Sequence, residues 1–303
     1  MAIPAEVPQA ARVALGVGGS RGALLREVVG RPAGAFGLCV VALLVLAALF
    51  PGVLAPYGPD EQDIPARLQG PSLDHLLGTD ELGRDLLSRV IYSCRIELGV
   101  AIPAVLGALI AGLVLGVLAA YVGGWLDNAL IVVMDSLQAF PAVILALVLL
   151  SLLGSSLLNV IIVIAVAFTP NYARVSRALV LALKQNQFVE AERSLGASPV
   201  RVVLVHVVPN ILAPLFILLA MDMPSAITTE AGLSFLGIGV QPPTPSWGAM
   251  LASGFARVQD SPWGVIAPGL ALMLTTLGFT LLGETLRDVF DPRLSGVRKW
   301  RRT

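Results

Sequence analysis

Long apolar stretches constrain the fold of this chain more than any other feature. Residues 136–173 include no charged side chain, and neither do residues 202–221. A helix needs about 20 mostly apolar residues to cross the hydrocarbon core of a bilayer. The first stretch is too long for one such helix and contains Gly154-Ser155-Ser156, so it must hold two spans. These runs predict a protein that lies in a membrane.

Composition supports this interpretation. Hydrophobic residues make up 56% of the chain and charged residues 13%, and the mean hydropathy is +0.84, far from the values of a soluble domain. We predict an all-α membrane protein with about six transmembrane helices. The predicted spans are residues 33–55, 98–122, 128–154, 157–183, 202–221 and 263–283.

Net charge and cysteine usage exclude several other classes. The formal net charge is zero, which argues against a strongly basic nucleic-acid surface. The basic residues near the C-terminus leave only a contact with lipid headgroups open. Cys39 and Cys94 are isolated, so we expect neither a disulfide framework nor a metal site.

Basic residues near the ends of the spans predict the orientation. By the positive-inside rule, both termini and the loop 184–201 face the cytoplasm of the inner cell membrane, and the first span is an uncleaved signal anchor. The predicted layout is a cytoplasmic tail (1–32), the first transmembrane helix (33–55), an extracytoplasmic segment (56–96), a core domain (97–288) and a second cytoplasmic tail (289–303). Within the core lie the loop 184–201 and an extracytoplasmic or re-entrant loop at 223–262.

A charged helix-turn-helix interrupts the apolar sequence at residues 188–210. Phe188, Ala191 and Leu195 share one face of a helix of period 3.6, and charged residues occupy the other face. Gly196 tolerates a positive φ where this helix stops, and Ser198-Pro199 is typical of an N-cap followed by a first helical residue. Such a segment fits either an ordinary connector or a docking element.

The pattern Glu190-Ala191-Glu192, Gly196 and His206-Val207-Val208-Pro209 is similar to the EAA loop of ABC-importer permeases. Glu192 stands where that family usually has alanine. The resemblance implies that this loop docks a partner ATPase. The residues it assigns to ATPase coupling are Phe188, Glu190, Ala191, Glu192, Arg193, Leu195, Gly196, Pro199 and Arg201.

Three other segments resemble the dipeptide, oligopeptide and nickel branch of these permeases. They are residues 75–96, 230–247 and 282–294, so the likeness covers about residues 33–294. It implies a non-catalytic permease subunit of an ATP-driven importer of short peptides, with nickel, haem or another peptide-like ligand as alternatives. It also implies a second permease subunit, two ATPase domains that hold ATP and Mg, and an extracytoplasmic solute-binding protein.

Four residues are candidates for the transport pathway or its gate: Asp135, Pro141, Glu230 and Phe235. Asp135 lies inside the third predicted span, where a charge needs a partner, and Arg174 or Arg177 could pair with it. Glu230 precedes a stretch rich in Gly and Pro, which predicts a folded element packed over other helices. Glu230 could contact substrate, act in gating, cap a helix or form a salt bridge.

Two local patterns carry weaker predictions. Small residues at Ala108, Gly112 and Gly116 would let the second span approach a neighbouring helix closely. Residues 86–92 are amphipathic and could lie along the membrane surface, within a segment that is either a spacer or a rim for a binding protein.

Two other functional classes remain open from the sequence. An ion-coupled secondary transporter would predict inverted repeats, and no convincing repeat is present. An intramembrane hydrolase would have to use Ser155 or Ser156 with His206, without any GxSxG motif. The chain also has no GxxxxGK[ST] phosphate loop, so energy from ATP would have to come through a partner.

Overall fold

The computed structural model describes residues 21–290, with side chains throughout except those of residues 21–24, 188, 190, 191 and 193. Within this range the only strand-like pairing is an isolated bridge between Thr79 and Asp85, and the predicted all-α class is confirmed. The helices are α1 (Arg21–Val29), α2 (Pro32–Leu49), α3 (Pro51–Leu54), a 3-10 helix (Ile64–Ala66), α4 (Leu86–Val122), α5 (Gly124–Gln138), α6 (Ala142–Leu153), α7 (Leu157–Lys184), α8 (Gln187–Ser194), α9 (Pro199–Arg201), a π-helix (Val202–Val207), α10 (Val208–Phe235), α11 (Trp247–Ala256) and α12 (Trp263–Phe290).

Five helical segments of the described range are long and apolar enough to cross a membrane: α2, α4, α7, Pro199–Phe235 and α12. The third predicted span consists of α5 and α6, which meet at an angle of 93°. The bend follows from Pro141, because proline has no backbone N–H and disfavours helical geometry at the preceding residue. Six spans result if this bent pair counts as one.

The second span begins earlier than predicted. α4 starts at Leu86, where the Asp85 carboxylate accepts a hydrogen bond from the Ser88 N–H (2.7 Å) and caps the helix. Its 37 residues extend about 55 Å, so the helix is longer than a hydrocarbon core of roughly 30 Å. Residues 86–92, the amphipathic stretch that could lie along the membrane surface, form the first turns of this helix.

α4 and α7 pack tightly against each other. A methyl group on Gly112 would collide with Tyr172 and Ala173, and one on Gly116 would collide with Ala173 and Ser176. Only glycine allows this approach, which confirms the prediction made from the spacing of small residues. Around this pair, α10 packs on α4, α7 and α12, and α2 packs on α4 and α12.

The loop predicted at residues 223–262 is shorter in the structure. α10 continues as a helix to Phe235, residues 236–246 form an irregular stretch with a cis peptide bond between Pro242 and Pro243, and α11 follows. The Ser246 side chain caps α11 by accepting a hydrogen bond from the Ala249 N–H (3.2 Å). We call residues 236–256 the cap. It is a folded element packed against α4, α10 and α12.

The bundle has two different ends. The Trp247 Nε1–H donates to the Val90 carbonyl (3.2 Å), which places the cap beside the start of α4. At the far end of α4, the Lys184 ammonium donates to the Ala120 carbonyl (2.8 Å), which places the end of α7 and the following α8 there. We call these the cap end and the hairpin end.

Candidate coupling hairpin and pathway residues

The segment predicted to couple to an ATPase folds as a helical hairpin at the end of α7. α8 ends at Ser194, and Gly196 follows with φ +84°, a conformation in which side chains with a Cβ are strained. Ser198 then caps α9 by accepting a hydrogen bond from the Arg201 N–H (3.4 Å), and Pro199 is the first residue of that helix. The predicted turn is present at these three residues. We call residues 187–201 the hairpin.

Two apolar residues of the hairpin differ in burial: Val189 packs against the rest of the chain, whereas Leu195 does not. Val189 is fully buried, although the sequence pattern did not single it out. Leu195, on the face predicted to pack against a partner, is 84% exposed. The side chains of Phe188, Glu190, Ala191 and Arg193 lie outside the described part of the chain. Arg201 is exposed and lies in the last turn of α9.

Glu192 has a partner inside the chain. Its Oε1 lies 3.6 Å from Nε2 of His206, and both side chains are partly exposed. The Glu192 carbonyl also accepts a hydrogen bond from the Ala197 N–H (3.0 Å) across the turn. The residue that departs from the family pattern is thus one that ties α8 to the π-helix.

The π-helix links the hairpin to α10. Val208 donates its N–H to the Val203 carbonyl, one residue farther back than in an α-helix. Pro209 follows directly, and its ring would clash with the carbonyl four residues earlier in a regular α-helix. The wider turn relieves that clash.

Asp135 forms an ion pair in the half of the bundle nearer the hairpin end. Its Oδ1 lies 2.6 Å from Nη2 of Arg174, which confirms one of the two predicted partners. The other, Arg177, instead forms two hydrogen bonds with Asp127 (2.6 and 2.7 Å). The Arg174 and Asp135 side chains are 59% and 57% exposed.

A cleft of about 370 Å³ lies beside this ion pair. Its walls come from α4, α5 and α7 and are mostly apolar. Pro141, the other pathway candidate of this half of the bundle, lies at the bend after α5. Apolar walls and one open ion pair can accommodate a small molecule that carries both charges.

Glu230 lies at the cap end and is completely buried, as is Glu97 of α4. The two carboxyl groups are close enough to interact electrostatically, and neither Oε2 atom has a hydrogen-bond partner among the described residues. Oε1 of Glu97 also accepts from the Trp247 N–H (2.9 Å), and Oε1 of Glu230 accepts from the Ser234 hydroxyl (2.6 Å). Glu230 therefore caps no helix, and within residues 21–290 it forms no salt bridge.

Sequence reasoning missed Glu97. The available signal was its position directly before the uncharged run that starts at Leu98. Phe235 is partly exposed and packs edge-on against Phe255 of the cap, with ring centroids 6.2 Å apart. Glu97 and Gly116, which lines the cleft near Asp135, are separated by about 28 Å along α4. The four pathway candidates therefore form two groups, one at each end.

Residues 57–85 form a second cavity at the cap end, of about 580 Å³, with acidic walls. His75 Nδ1 lies 3.0 Å from the Asp85 carboxylate, which also accepts hydrogen bonds from Ser88. Asp80 accepts a hydrogen bond from the Arg84 guanidinium (2.6 Å) and fixes the adjoining turn. These contacts hold residues 57–85 in an ordered conformation that lines the cavity.

The hydrolase alternative does not fit this arrangement. Ser156 caps the start of α7, whereas His206 contacts Glu192 of α8, which follows the other end of that helix. α7 itself is about 42 Å long. No group of three potential metal ligands is found in residues 21–290.

Comparisons with known proteins agree with this geometry. Residues 112–296 match the family of binding-protein-dependent transport system inner membrane components, and residues 25–71 match the N-terminal TM domain of oligopeptide transport permease C. A chain of the inward-facing MetNI methionine ABC transporter superposes with a TM-score of 0.55 at 15% identity, over 68% of this chain and 98% of that one. This likeness shows the fold.

Curated relatives are considerably closer in sequence. The dipeptide transport system permease protein DppC of Alkalihalophilus pseudofirmus is 39% identical over 85% of both chains. The di/tripeptide transport system permease protein DppC of Pseudomonas aeruginosa is 41% identical over 86% of this chain and 88% of the relative. The glutathione transport system permease protein GsiD of Escherichia coli is 41% identical over 84% of this chain and 85% of the relative.

The fold and these matches define a membrane-embedded permease component of an ABC importer. The chain belongs to the family of binding-protein-dependent transport system inner membrane components. The family resemblance seen in its motifs is thereby confirmed.

Proposed function

We propose that this chain forms part of the pathway by which short peptides cross the cytoplasmic membrane. Its relatives include permeases named for dipeptides, for di- and tripeptides, and for glutathione, which is itself a tripeptide. Segments 75–96 and 230–247, which carry the resemblance to this branch, form ordered parts of the cap end. The proposed substrate class is therefore peptides of a few residues.

Coupling to ATP is proposed to occur through the hairpin. The observation that carries this proposal is the exposure of Leu195, at 84%, in the turn directly after α8, a helix that buried Val189 fastens to the chain. An exposed apolar side chain in a turn next to an anchored helix is suited to fill a pocket on a partner. Movement of the hairpin would pass to α7 at one side and through the π-helix to α10 at the other.

The remaining parts of the system are proposed to be separate chains. Two ATPase domains would hold ATP and Mg, a second homologous permease would complete the pathway, and a solute-binding protein would deliver the peptide at the cap end. The chain itself would catalyse no reaction. Both termini and the hairpin are proposed to face the cytoplasm, because basic residues collect near the span ends that adjoin them: Arg26, Arg31, Lys184, Arg201 and Arg287.

The outer surface of α5 supports a second permease as neighbour. No residue of this helix is buried, although it carries Asp127 and Asp135. Charged groups at membrane depth face protein or water rather than lipid. We therefore propose that the cleft beside Asp135 and Arg174 faces the pathway, where an ion pair can exchange partners with the ammonium and carboxylate of a peptide.

The first experiment is purification of the tagged chain from its native membrane in mild detergent, followed by mass spectrometry of bound proteins and an ATPase assay. We expect a P-loop ATPase and a second permease. A chain that purifies alone and transports in liposomes without ATP would instead support an ion-coupled carrier. Competition for uptake of a labelled dipeptide by glutathione, nickel or haem then tests the substrate class.

A second experiment tests the hairpin directly. A photo-crosslinking amino acid at Leu195 should capture the ATPase, whereas the same residue at exposed Leu73, at the cap end, should not. Crosslinking from Leu73 but not from Leu195 would contradict the proposed coupling site.

A further inference from the structure

Glu97 and Glu230 place two acidic side chains in one enclosed space. Both are completely buried, on α4 and α10, although isolated charges are very costly to bury. Two carboxylates in contact cannot both be ionised without strong repulsion, and such pairs elsewhere share one proton.

The hydrogen bonds around the pair show which carboxyl oxygens lack a donor. The Ser234 hydroxyl accepts from the Val240 N–H (2.9 Å), so its own hydrogen is directed to Oε1 of Glu230. Oε1 of Glu97 accepts from the Trp247 N–H. Both Oε1 atoms are thus acceptors, and neither Oε2 receives a hydrogen bond from any other described group. A proton between the two carboxyl groups would supply the missing donor for their Oε2 atoms.

No basic side chain near the pair could replace the proton. Arg89 is directed to Asp60, Asp80 and the Pro59 carbonyl, and Arg95 to the Ala48 and Leu49 carbonyls. Among the helices of the surrounding bundle, α2 and α11 carry no charged residue. The first charged residue of α12 is Glu284, and the first charged residue of α7 is Arg174. On α10, Asp222 lies two turns from Glu230.

Two other features act on the same site. Cys94, one turn before Glu97 on α4, is buried and within electrostatic range of that carboxyl, and its thiol donates to the Val90 carbonyl (3.4 Å). The N-terminus of α11 points its partial positive charge at Glu97. The partial positive charge at the N-terminus of α11 can compensate one negative charge, not two.

We propose that Glu97 and Glu230 form a proton-binding site that fastens the cap to α4 and α10. With one proton bound, Glu97 holds the first turn of α11, and Glu230 holds the start of the cap through Ser234. Loss of the proton would leave two adjacent buried charges and loosen all three elements from one another. This inference does not depend on the transported substrate or on the ATPase.

Infrared spectroscopy of the full chain, purified with its bound subunits, tests the site directly. We expect the C=O stretch of a protonated carboxyl to persist at neutral pH and to disappear as the pH becomes alkaline. Glu97→Gln and Glu230→Gln should each remove this band, whereas Glu284→Gln, at an exposed position, should leave it unchanged. A band that survives both single substitutions would overturn the proposal.

Thermal melting measures what the proton holds together. Glu97→Gln keeps an acceptor for Trp247 and adds a permanent N–H donor toward Glu230, so its melting temperature should lose the alkaline decline of the wild type. Glu97→Ala should melt lower at every pH, by about 5 °C, because it leaves the Trp247 N–H without a partner. An unchanged alkaline decline in Glu97→Gln would contradict the proposal.

A bound metal cation is the competing occupant of the pair. At constant ionic strength, replacing choline by Na⁺ or K⁺ should leave the wild-type melting temperature unchanged. Stabilisation by Na⁺ that Glu97→Gln abolishes would show that the site holds a cation in place of the proton.

Discussion

The two ends of this molecule are built in opposite ways. At the cap end, polar groups are buried and partnered within the chain: Glu97, Glu230 and Trp247 connect three helices, and Asp80 and Asp85 order the adjoining loop. At the hairpin end, Leu195 and Val200 are exposed although they are apolar. The elements of the cap end are thus joined by buried polar contacts within the chain, although apolar side chains such as Leu73 are exposed there as well. The exposed apolar residues of the hairpin are the ones we propose to bind the ATPase. Substitutions should therefore affect stability at one end and assembly at the other.

Gly248 should give the largest effect, because it lies where α11 crosses α10. A Cβ there would collide with the Ala231 carbonyl and the Ser234 side chain. Gly248→Val should destabilise the chain by about 3 kcal/mol or more and displace the cap. The control is Gly232→Ala on α10, where nothing lies within 4 Å of an added Cβ, and which should be neutral or slightly stabilising. Melting temperature and expression distinguish the two variants.

Val189, in α8, and Leu195, in the turn after it, test the contrast within the hairpin. Val189→Ala removes buried methyl groups and should cost about 1–3 kcal/mol, seen as a lower melting temperature. Leu195→Ser should leave the melting temperature of the isolated chain unchanged and weaken recovery of the ATPase during purification. If Leu195→Ser lowered stability while the ATPase stayed bound, the hairpin end would not be an assembly surface.

Gly196 separates backbone strain from crowding by a partner. Its φ of +84° penalises any residue with a Cβ, by roughly 1–2 kcal/mol, and the space around it is open within the chain. Gly196→Ala and Gly196→Arg should therefore be strained alike. Any additional loss of coupled uptake in Gly196→Arg would report the partner surface, measured as substrate transported per ATP hydrolysed. Equal uptake in the two variants would mean that no partner approaches this turn.

The sequence predicted features that depend on neighbouring residues or on period. The turn at Gly196 and Ser198-Pro199 is encoded locally, and the small-residue spacing of Gly112 and Gly116 is a property of one helix. Features that depend on two distant segments were not predictable. Glu97 meets Glu230 only because α4 and α10 pack together, and Val189 is buried only because α8 folds back on the bundle. The 93° bend was foreseeable as a kink at Pro141, but its size depends on packing.

Substitution of the two arginines of α7, Arg174 and Arg177, should have the smallest effects on stability. These substitutions test whether the difference between the two ends of the molecule extends into the membrane-spanning part. Arg177 binds Asp127 through two hydrogen bonds in a partly buried position, so Arg177→Gln should cost about 1 kcal/mol. Arg174 and Asp135 are more than half exposed, and solvent screening should limit the effect of Arg174→Gln on stability to a few tenths of a kcal/mol. If the cleft lines the pathway, Arg174→Gln should nevertheless reduce peptide uptake more than Arg177→Gln does. Equal reductions that follow the melting temperatures would assign both ion pairs to helix packing alone.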